Sequence, residues 1–162
     1  MPSDDFGHRV HVLYIDDSAD DRWLLERVAR SEKSSISVFC VDNFPVARAY
    51  LSGEGPFADR QQYPVPVFVL LDYALNGHSG ADILRWIRNH GTLKDLPVVM
   101  YSDSDDAERR SICYREGANH YLRKANSLPR LMDVMKILHQ CFASDPPCHD
   151  LLLTLPEYRP PP

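Results

Sequence analysis

Short apolar runs alternate along this chain with segments of helical periodicity. Five runs rich in β-branched and aromatic residues, each bounded by turn signals, are predicted to be strands at 10–15, 36–41, 67–71, 98–101 and 121–122. Apolar residues spaced three and four apart predict helices between and after them, at 20–31, 45–51, 80–89, 106–116 and 128–141.

A strand followed by a helix, five times over, indicates a parallel sheet with right-handed crossovers. The apolar runs are continuous rather than alternating, which fits strands buried on both faces. We therefore predict an α/β fold, in which helices cover both faces of a doubly wound, five-stranded parallel sheet.

Proline and glycine mark the segments outside this pattern. Residues 53–66 are rich in both and predict a long loop before the third strand. Six of the thirteen prolines lie after Ala143, where nothing indicates a second domain. We expect an N-terminal segment at 1–8, a folded domain at 9–142 and a proline-rich C-terminal extension at 143–162.

The composition is that of a folded protein with a modest negative charge. Lys and Arg number 18 against 23 Asp and Glu, and the net charge of −5 argues against a nucleic-acid partner. No apolar stretch approaches the ~20 residues that cross a bilayer. Residues 1–8 lack the basic start of a secretory signal. We expect a soluble, cytoplasmic protein with no membrane partner.

The four cysteines predict free thiols rather than a metal site. They form no CxxC pair, and in a reducing compartment cysteines are usually unbridged. The spacing of the cysteines and histidines near the C-terminus matches no zinc pattern; these residues are His139, Cys141, Cys148 and His149.

Polar side chains follow four of the five predicted strands. Asp16 and Asp17 come after the first strand, Asp72 after the third, Ser102 after the fourth and Lys124 after the fifth. The carboxyl ends of parallel strands form the ligand crevice of an open α/β sheet. We therefore expect these side chains to meet in one crevice.

This set of side chains predicts phosphoryl transfer to a carboxylate. Three crowded carboxylates repel one another and need a cation, and Mg²⁺ prefers such oxygen ligands. In phosphoryl transfer a carboxylate attacks phosphorus, while the metal, an ammonium and a hydroxyl stabilise the charged oxygens. Asp72 is the candidate nucleophile because it follows the central apolar run VFVLL.

In this order, the motifs resemble the CheY-like receiver domain of two-component response regulators. The resemblance covers residues 10–141 and is carried by LYIDDSADD, VFVLLDYALNGHSG, PVVMYSDS and EGANHYLRK. Ser102 precedes Lys124 by 22 residues and Tyr121 precedes it by three, as in that family. The resemblance implies the strand order 2-1-3-4-5.

The resemblance also implies a role for each of these residues. Asp72 would accept a phosphoryl group from a histidine kinase, and Lys124 would bind that group; the protein is then not an enzyme beyond its own phosphorylation and dephosphorylation. Phosphate would draw in Ser102 and let Tyr121 rotate inward, so that these two form a switch pair. The implied Mg²⁺ ligands are Asp16, Asp17, Asp72 and the backbone carbonyl of Ala74.

A narrower resemblance concerns the long loop before the third strand and the ending LLLTLPE. Both are similar to small single-domain response regulators that partner phytochromes. This implies a bacteriophytochrome kinase as partner and a homodimer formed through the fourth and fifth helices and the extension. The leucines of the extension would then reach a second copy, or else pack beside Met135 and Leu138 of their own domain.

Two positions depart from the family pattern and leave alternatives open. Asp103 stands where a small residue is usual and could crowd the phosphoryl group. Ala125 replaces a proline, so the peptide bond before it should be trans or strained. Both motivate a phosphorylation-independent scaffold as the alternative function. A haloacid-dehalogenase phosphatase needs an aspartate where Ala74 stands, and a flavodoxin would not place carboxylates at Asp16 and Asp17.

Overall fold

The computed structural model describes residues 9–31 and 34–162, so the predicted N-terminal segment 1–8 lies outside the described residues. Five strands form a parallel sheet, namely β1 (Val10–Ile15), β2 (Ile36–Val41), β3 (Phe68–Leu71), β6 (Val98–Ser102) and β7 (His120–Arg123). Two short strands, β4 (Ala74–Leu75) and β5 (His78–Ser79), pair with each other as a separate antiparallel hairpin.

The sheet has the order β2-β1-β3-β6-β7. Because the hairpin strands β4 and β5 lie outside it, this is the predicted order 2-1-3-4-5 for the five long strands, and the α/β prediction is confirmed. All four strand pairs within the sheet are parallel. No helix within residues 9–31 and 34–162 has the length and apolar character needed to cross a bilayer.

Five α-helices follow the five long strands, with bounds within two residues of those predicted. They are α1 (Ala19–Ala29), α2 (Phe44–Ser52), α3 (Gly80–Asn89), α4 (Ala107–Arg115) and α5 (Leu128–Phe142). Each is preceded by a residue whose side chain accepts a hydrogen bond from a free backbone N–H of the first turn; these residues are Ser18, Asn43, Ser79, Asp106 and Ser127.

The strand side chains alternate between two hydrophobic layers, one on each face of the sheet. Tyr14 and Leu122 lie in the layer under α1 and α5. Their neighbours Leu13 and Tyr121 lie in the layer under α2, α3 and α4. Both faces of the sheet are therefore buried, which explains why the strands are continuous apolar runs.

The C-terminal extension folds back on its own chain. After α5 it forms a 3-10 helix at His149–Thr154 that packs on α5. Leu152 and Leu155 are buried in the layer under α5, whereas Leu153 is 61% exposed. Of the two arrangements that the sequence leaves open, the described chain adopts the one that tucks back, and two leucines of the predicted dimer arm are buried by their own domain.

The end of the extension pairs with the edge strand β7. The Arg123 N–H donates to the Glu157 carbonyl at 2.8 Å, and the Arg159 N–H donates to the Tyr121 carbonyl at 2.9 Å. Two contacts between side chains anchor this segment, because Glu157 accepts two hydrogen bonds from Arg130, at 2.9 and 2.8 Å, and the Arg159 guanidinium donates to Asp105 at 2.8 Å.

Candidate functional site

The register of the sheet places the predicted acids side by side. Ile15 of β1 is paired with Leu71 of β3, and Asp16 and Asp72 directly follow these residues. The Asp72 N–H donates to the Ile15 carbonyl at 3.0 Å, which continues the ladder one residue past β3. Asp16 and Asp72 are consequently fixed by backbone hydrogen bonding at the carboxyl edge of the sheet.

Three carboxylates form a compact cluster at this edge. One oxygen atom from each of Asp16, Asp17 and Asp72 lies within 4.8 Å of the others. Burial raises the pKa of Asp72 to about 6, and the charge of Asp16 acts in the same direction, while Lys124 opposes both. Crowded oxygen donors in a partly desolvated pocket are the ligand set that a hard divalent cation prefers, so the residues present fit Mg²⁺.

Lys124 follows β7 and lies over this cluster. Its Nζ atom is 2.6 Å from Asp16, 2.8 Å from Asp21 and 3.3 Å from Asp72, and its side chain is only 7% exposed. Burial alone would lower the pKa of Lys124, but the three carboxylates outweigh burial and raise it. Lys124 is therefore held as an ammonium ion beside the proposed nucleophile.

Asp16 is the most enclosed acid of the site. It is fully buried, and its carboxylate accepts hydrogen bonds from the Ser18 N–H at 2.8 Å and from the Tyr14 hydroxyl. Burial and the charge of Asp16 together raise the pKa of Tyr14, which keeps the phenol protonated and able to donate. These donors and Lys124 compensate for burying the Asp16 carboxylate.

Asp21 is a site residue that was not predicted from the sequence. This residue lies in the first turn of α1, which begins at Ala19 immediately beyond the acid pair. The helix therefore carries the Asp21 carboxylate back to Lys124. A signal was present in LYIDDSADD, because acids in the first turn of a helix that starts at the crevice lie close to the crevice.

Ser102 and Tyr121 also lie where the sequence placed them. Ser102 ends β6, is buried, and its carbonyl accepts from the Lys124 N–H at 2.9 Å. Tyr121 is 0% exposed, and its hydroxyl donates to the Ser104 carbonyl at 2.9 Å. The described chain thus holds Tyr121 in the inward orientation that the sequence analysis expected only after phosphorylation.

The two positions that depart from the family pattern have different environments. Asp103 is exposed and lines a cavity of about 290 Å³ together with Lys124 and residues of the extension. The peptide bond before Ala125 is trans, since Asp145–Pro146 is the cis bond among the described residues. The Ala125 N–H donates to the Tyr101 hydroxyl at 3.1 Å, so the alanine is held without a cis bond.

The remaining predicted positions lie at the margin of the site or away from it. Ala74 begins β4 beside the acids and is exposed, and its role as a carbonyl ligand stays a prediction. His149 contacts His120 at 2.8 Å and Cys141 at 3.9 Å. Within the described part of the chain, the aspartate cluster is the one group of three or more potential metal-ligating side chains, and the four cysteines are free thiols.

The fold and these strand-end residues define a receiver domain. The family model of the response regulator receiver domain matches residues 12–136, and the chain belongs to this family.

Among curated proteins, the two-component response regulator ARR7 of Arabidopsis thaliana is 33% identical over 129 residues, which cover 79% of this chain and 60% of the relative. The response regulator ORR3 of Oryza sativa subsp. indica is 32% identical over 114 residues, which cover 70% of this chain and 79% of the relative. The chain spans about 60% of the length of the first curated relatives it matches.

Solved structures of phytochrome-related regulators have the same fold. The phosphorylated cyanobacterial phytochrome response regulator RcpA superposes with a TM-score of 0.74 at 26% identity, covering 85% of this chain and 96% of that one. Response regulator RPA3017, from red light signalling of R. palustris, gives a TM-score of 0.73 at 28% identity, covering 80% of this chain and 91% of that one.

Proposed function

We propose that this chain is a response regulator that accepts a phosphoryl group on Asp72 from a histidine kinase and thereby changes its interaction surface. The observation that carries the proposal is the position of Asp72, with the acids Asp16 and Asp17 within 4.8 Å and the Lys124 ammonium at 3.3 Å. A nucleophilic carboxylate beside a metal-binding acid pair and a cation meets the requirements of phosphoryl transfer.

In the proposed reaction an Asp72 oxygen attacks the phosphorus of the kinase phosphohistidine. The new P–O bond replaces the P–N bond, and the imidazole leaves with a proton from the surrounding water. Lys124 neutralises charge on the transferred oxygens, and the buried Ser102 hydroxyl donates a hydrogen bond to one of them. Asp16, Asp17, Asp72 and the Ala74 carbonyl would hold Mg²⁺, which supplies further neutralisation of the phosphoryl oxygens when bound.

The proposed output is the face made by α4, β7 and α5. Ser102 and Tyr121 would form the switch pair, because they end or lie within adjacent strands and both contact the loop before α4. Similarity to RcpA and RPA3017 supports a phytochrome-type histidine kinase as partner and supports a domain at 9–142 with an extension at 143–162. A homodimer through α4, α5 and the extension, in the cytoplasm, belongs to the same proposal.

The test is phosphorylation by a small donor. We expect the purified chain, incubated with Mg²⁺ and acetyl phosphate, to gain the mass of one phosphoryl group. Asp72→Asn keeps the shape of the side chain and removes the nucleophile, so this variant should gain none. Phosphate incorporated equally into the variant, or none in the wild type, would contradict the assignment.

A phosphorylation-independent scaffold is the second candidate. The observation in its favour is the inward Tyr121, whose hydrogen bond to Ser104 sets the output face without a phosphoryl group. This candidate expects the same partner affinity before and after treatment with acetyl phosphate. The proposed switch expects the two affinities to differ.

A further inference from the structure

Lys124 has one more carboxylate partner than phosphoryl transfer to Asp72 requires. Asp21 lies 2.8 Å from the ammonium nitrogen, closer than Asp72 at 3.3 Å. Asp21 is not among the three acids whose oxygens cluster within 4.8 Å. Its contact is therefore with the lysine rather than with the candidate metal ligands.

The number of donors on Lys124 makes this contact significant. An ammonium group has three N–H donors and no acceptor, and three carboxylates already surround it. A phosphoryl group on Asp72 takes over the donor that Asp72 now holds, and it gains a second N–H donor from Lys124 only if Asp16 or Asp21 releases one. Asp16 has a side chain that is 0% exposed, whereas the Asp21 side chain is 36% exposed. Water can hydrate a released Asp21 but not Asp16, so Asp21 is the cheaper partner to release.

We infer that Asp21 is a positioning residue that tethers Lys124 before phosphorylation and yields its hydrogen bond to the phosphoryl group on Asp72. The inference rests on the proposed function and extends it. The tether slows phosphorylation in two ways. It occupies a Lys124 N–H group that would otherwise bind the phosphoryl group, and it places a negative charge near the anionic acetyl phosphate. Because Asp21 belongs to α1, its release also detaches the first turn of this helix from the residue that follows β7.

The first experiment measures the rate of phosphorylation by acetyl phosphate at saturating Mg²⁺. Asp21→Asn should react about two- to five-fold faster than the wild type, the range expected for losing one partly exposed ion pair. Asp20→Asn is the matched control, because it removes the same charge from the same helical turn, at an exposed residue. It should react at close to the wild-type rate. Asp21→Glu retains the carboxylate and should return the rate towards that of the wild type.

The second experiment reports on the tether without phosphorylation. Lys124 is labelled with a small amine-reactive ester, and the extent of labelling is measured by peptide mass spectrometry. We expect Asp21→Asn to be labelled several-fold faster than Asp20→Asn and the wild type. Equal labelling of Lys124 in all three proteins would overturn the tether.

Other outcomes also decide the inference. A slower phosphorylation of Asp21→Asn would show that Asp21 assists Lys124 instead of competing for it. A ten-fold or greater loss of Mg²⁺ affinity in Asp21→Asn, measured by calorimetry, would place Asp21 in the metal site and overturn the assignment. If the wild type takes up no phosphoryl group, the proposed function fails, while the labelling experiment still decides whether Asp21 tethers Lys124.

Discussion

Gly80 is the residue whose substitution tests most directly how α3 supports the site. It is the first residue of α3 and lies against the chain that leaves β3. A Cβ atom at this position would overlap the Asp72 carbonyl oxygen and would lie 2.9 Å from Tyr73 Cα and 3.0 Å from Met100 Cε. The end of the methionine can move aside, but the backbone at Asp72 and Tyr73 must shift to admit a methyl group.

The expected magnitudes follow from these distances. Non-bonded carbons approach to about 3.5 Å, so Tyr73 Cα must move by about half an ångström, and the Asp72 carbonyl oxygen, which the Cβ atom overlaps, must move further. Such overpacking costs about 1–3 kcal/mol, and the better helix propensity of alanine returns up to about 1 kcal/mol. Because the overlapped Asp72 oxygen and Tyr73 Cα are backbone atoms, the cost lies in the upper half of that range, and we expect Gly80→Ala to lower the free energy of unfolding by about 1–3 kcal/mol. Because displacing a reacting group by about 1 Å can cost a hundred-fold in rate, phosphorylation of Asp72 should slow about ten-fold.

Urea unfolding and acetyl phosphate kinetics measure the two effects on the same protein. Gly91→Ala is the matched control, because a Cβ atom there meets nothing within 4 Å. This control should keep the wild-type rate and lose no stability. If Gly80→Ala has the stability and the phosphorylation rate of the wild type, α3 does not pack closely against the backbone of Asp72, the proposed phosphoacceptor.

Three further predictions concern ionisable groups. Lys124→Met leaves the carboxylates without their ammonium partner, so it should lower the free energy of unfolding by about 3 kcal/mol without Mg²⁺ and by clearly less with Mg²⁺. An equal loss in both conditions would contradict a carboxylate cluster that Mg²⁺ can neutralise. Arg130 lowers the pKa of Glu157, so the stability from this pair is present above about pH 4.5 and is lost as the pH falls. Arg130→Ala should therefore reduce the loss of unfolding free energy between about pH 4.5 and lower pH. An unchanged pH dependence in this range would argue against the Arg130–Glu157 pair. Burial, aided by His149, lowers the pKa of His120 to about 4. The contribution of neutral His120 to the free energy of unfolding is complete above about pH 6.5 and falls towards pH 4. In urea unfolding, the stability of His120→Gln should therefore depend less on pH over that range than the stability of the wild type. Equal pH dependence in the two proteins would count against burial of the neutral ring.

The long strands and most of the site could be predicted because they depend on local pattern and sheet geometry. Strands buried on both faces are continuous apolar runs, and parallel strands bring their carboxyl ends to one edge. Asp16, Asp72 and Lys124 therefore followed from the positions of three strands. The hairpin of β4 and β5 was missed because strands of two residues have no periodicity, although the Asn-Gly pair between them is a turn signal.

The pairing of Asp21 with Lys124 and the course of the extension could not be predicted because they depend on contacts between distant parts of the chain. The contact between Asp21 and Lys124 joins residues 103 positions apart, and it depends on the direction in which α1 leaves the sheet. The extension has no periodic pattern, and its leucines could pack on their own domain or on a second copy. Backbone pairing with β7 favours the first arrangement in the described chain, and sequence pattern carries no signal for that pairing.

Arg159 makes the end of the extension part of a single mechanical unit. Besides its backbone bond to Tyr121 of β7 and its side-chain bond to Asp105, its carbonyl accepts from the Tyr114 hydroxyl of α4 at 2.6 Å. The strand, the loop and the helix are thus joined at one residue near the C-terminus. Local opening of any one of them must break contacts to the other two, so their amide protons should exchange with solvent together, as one cooperative block, rather than element by element.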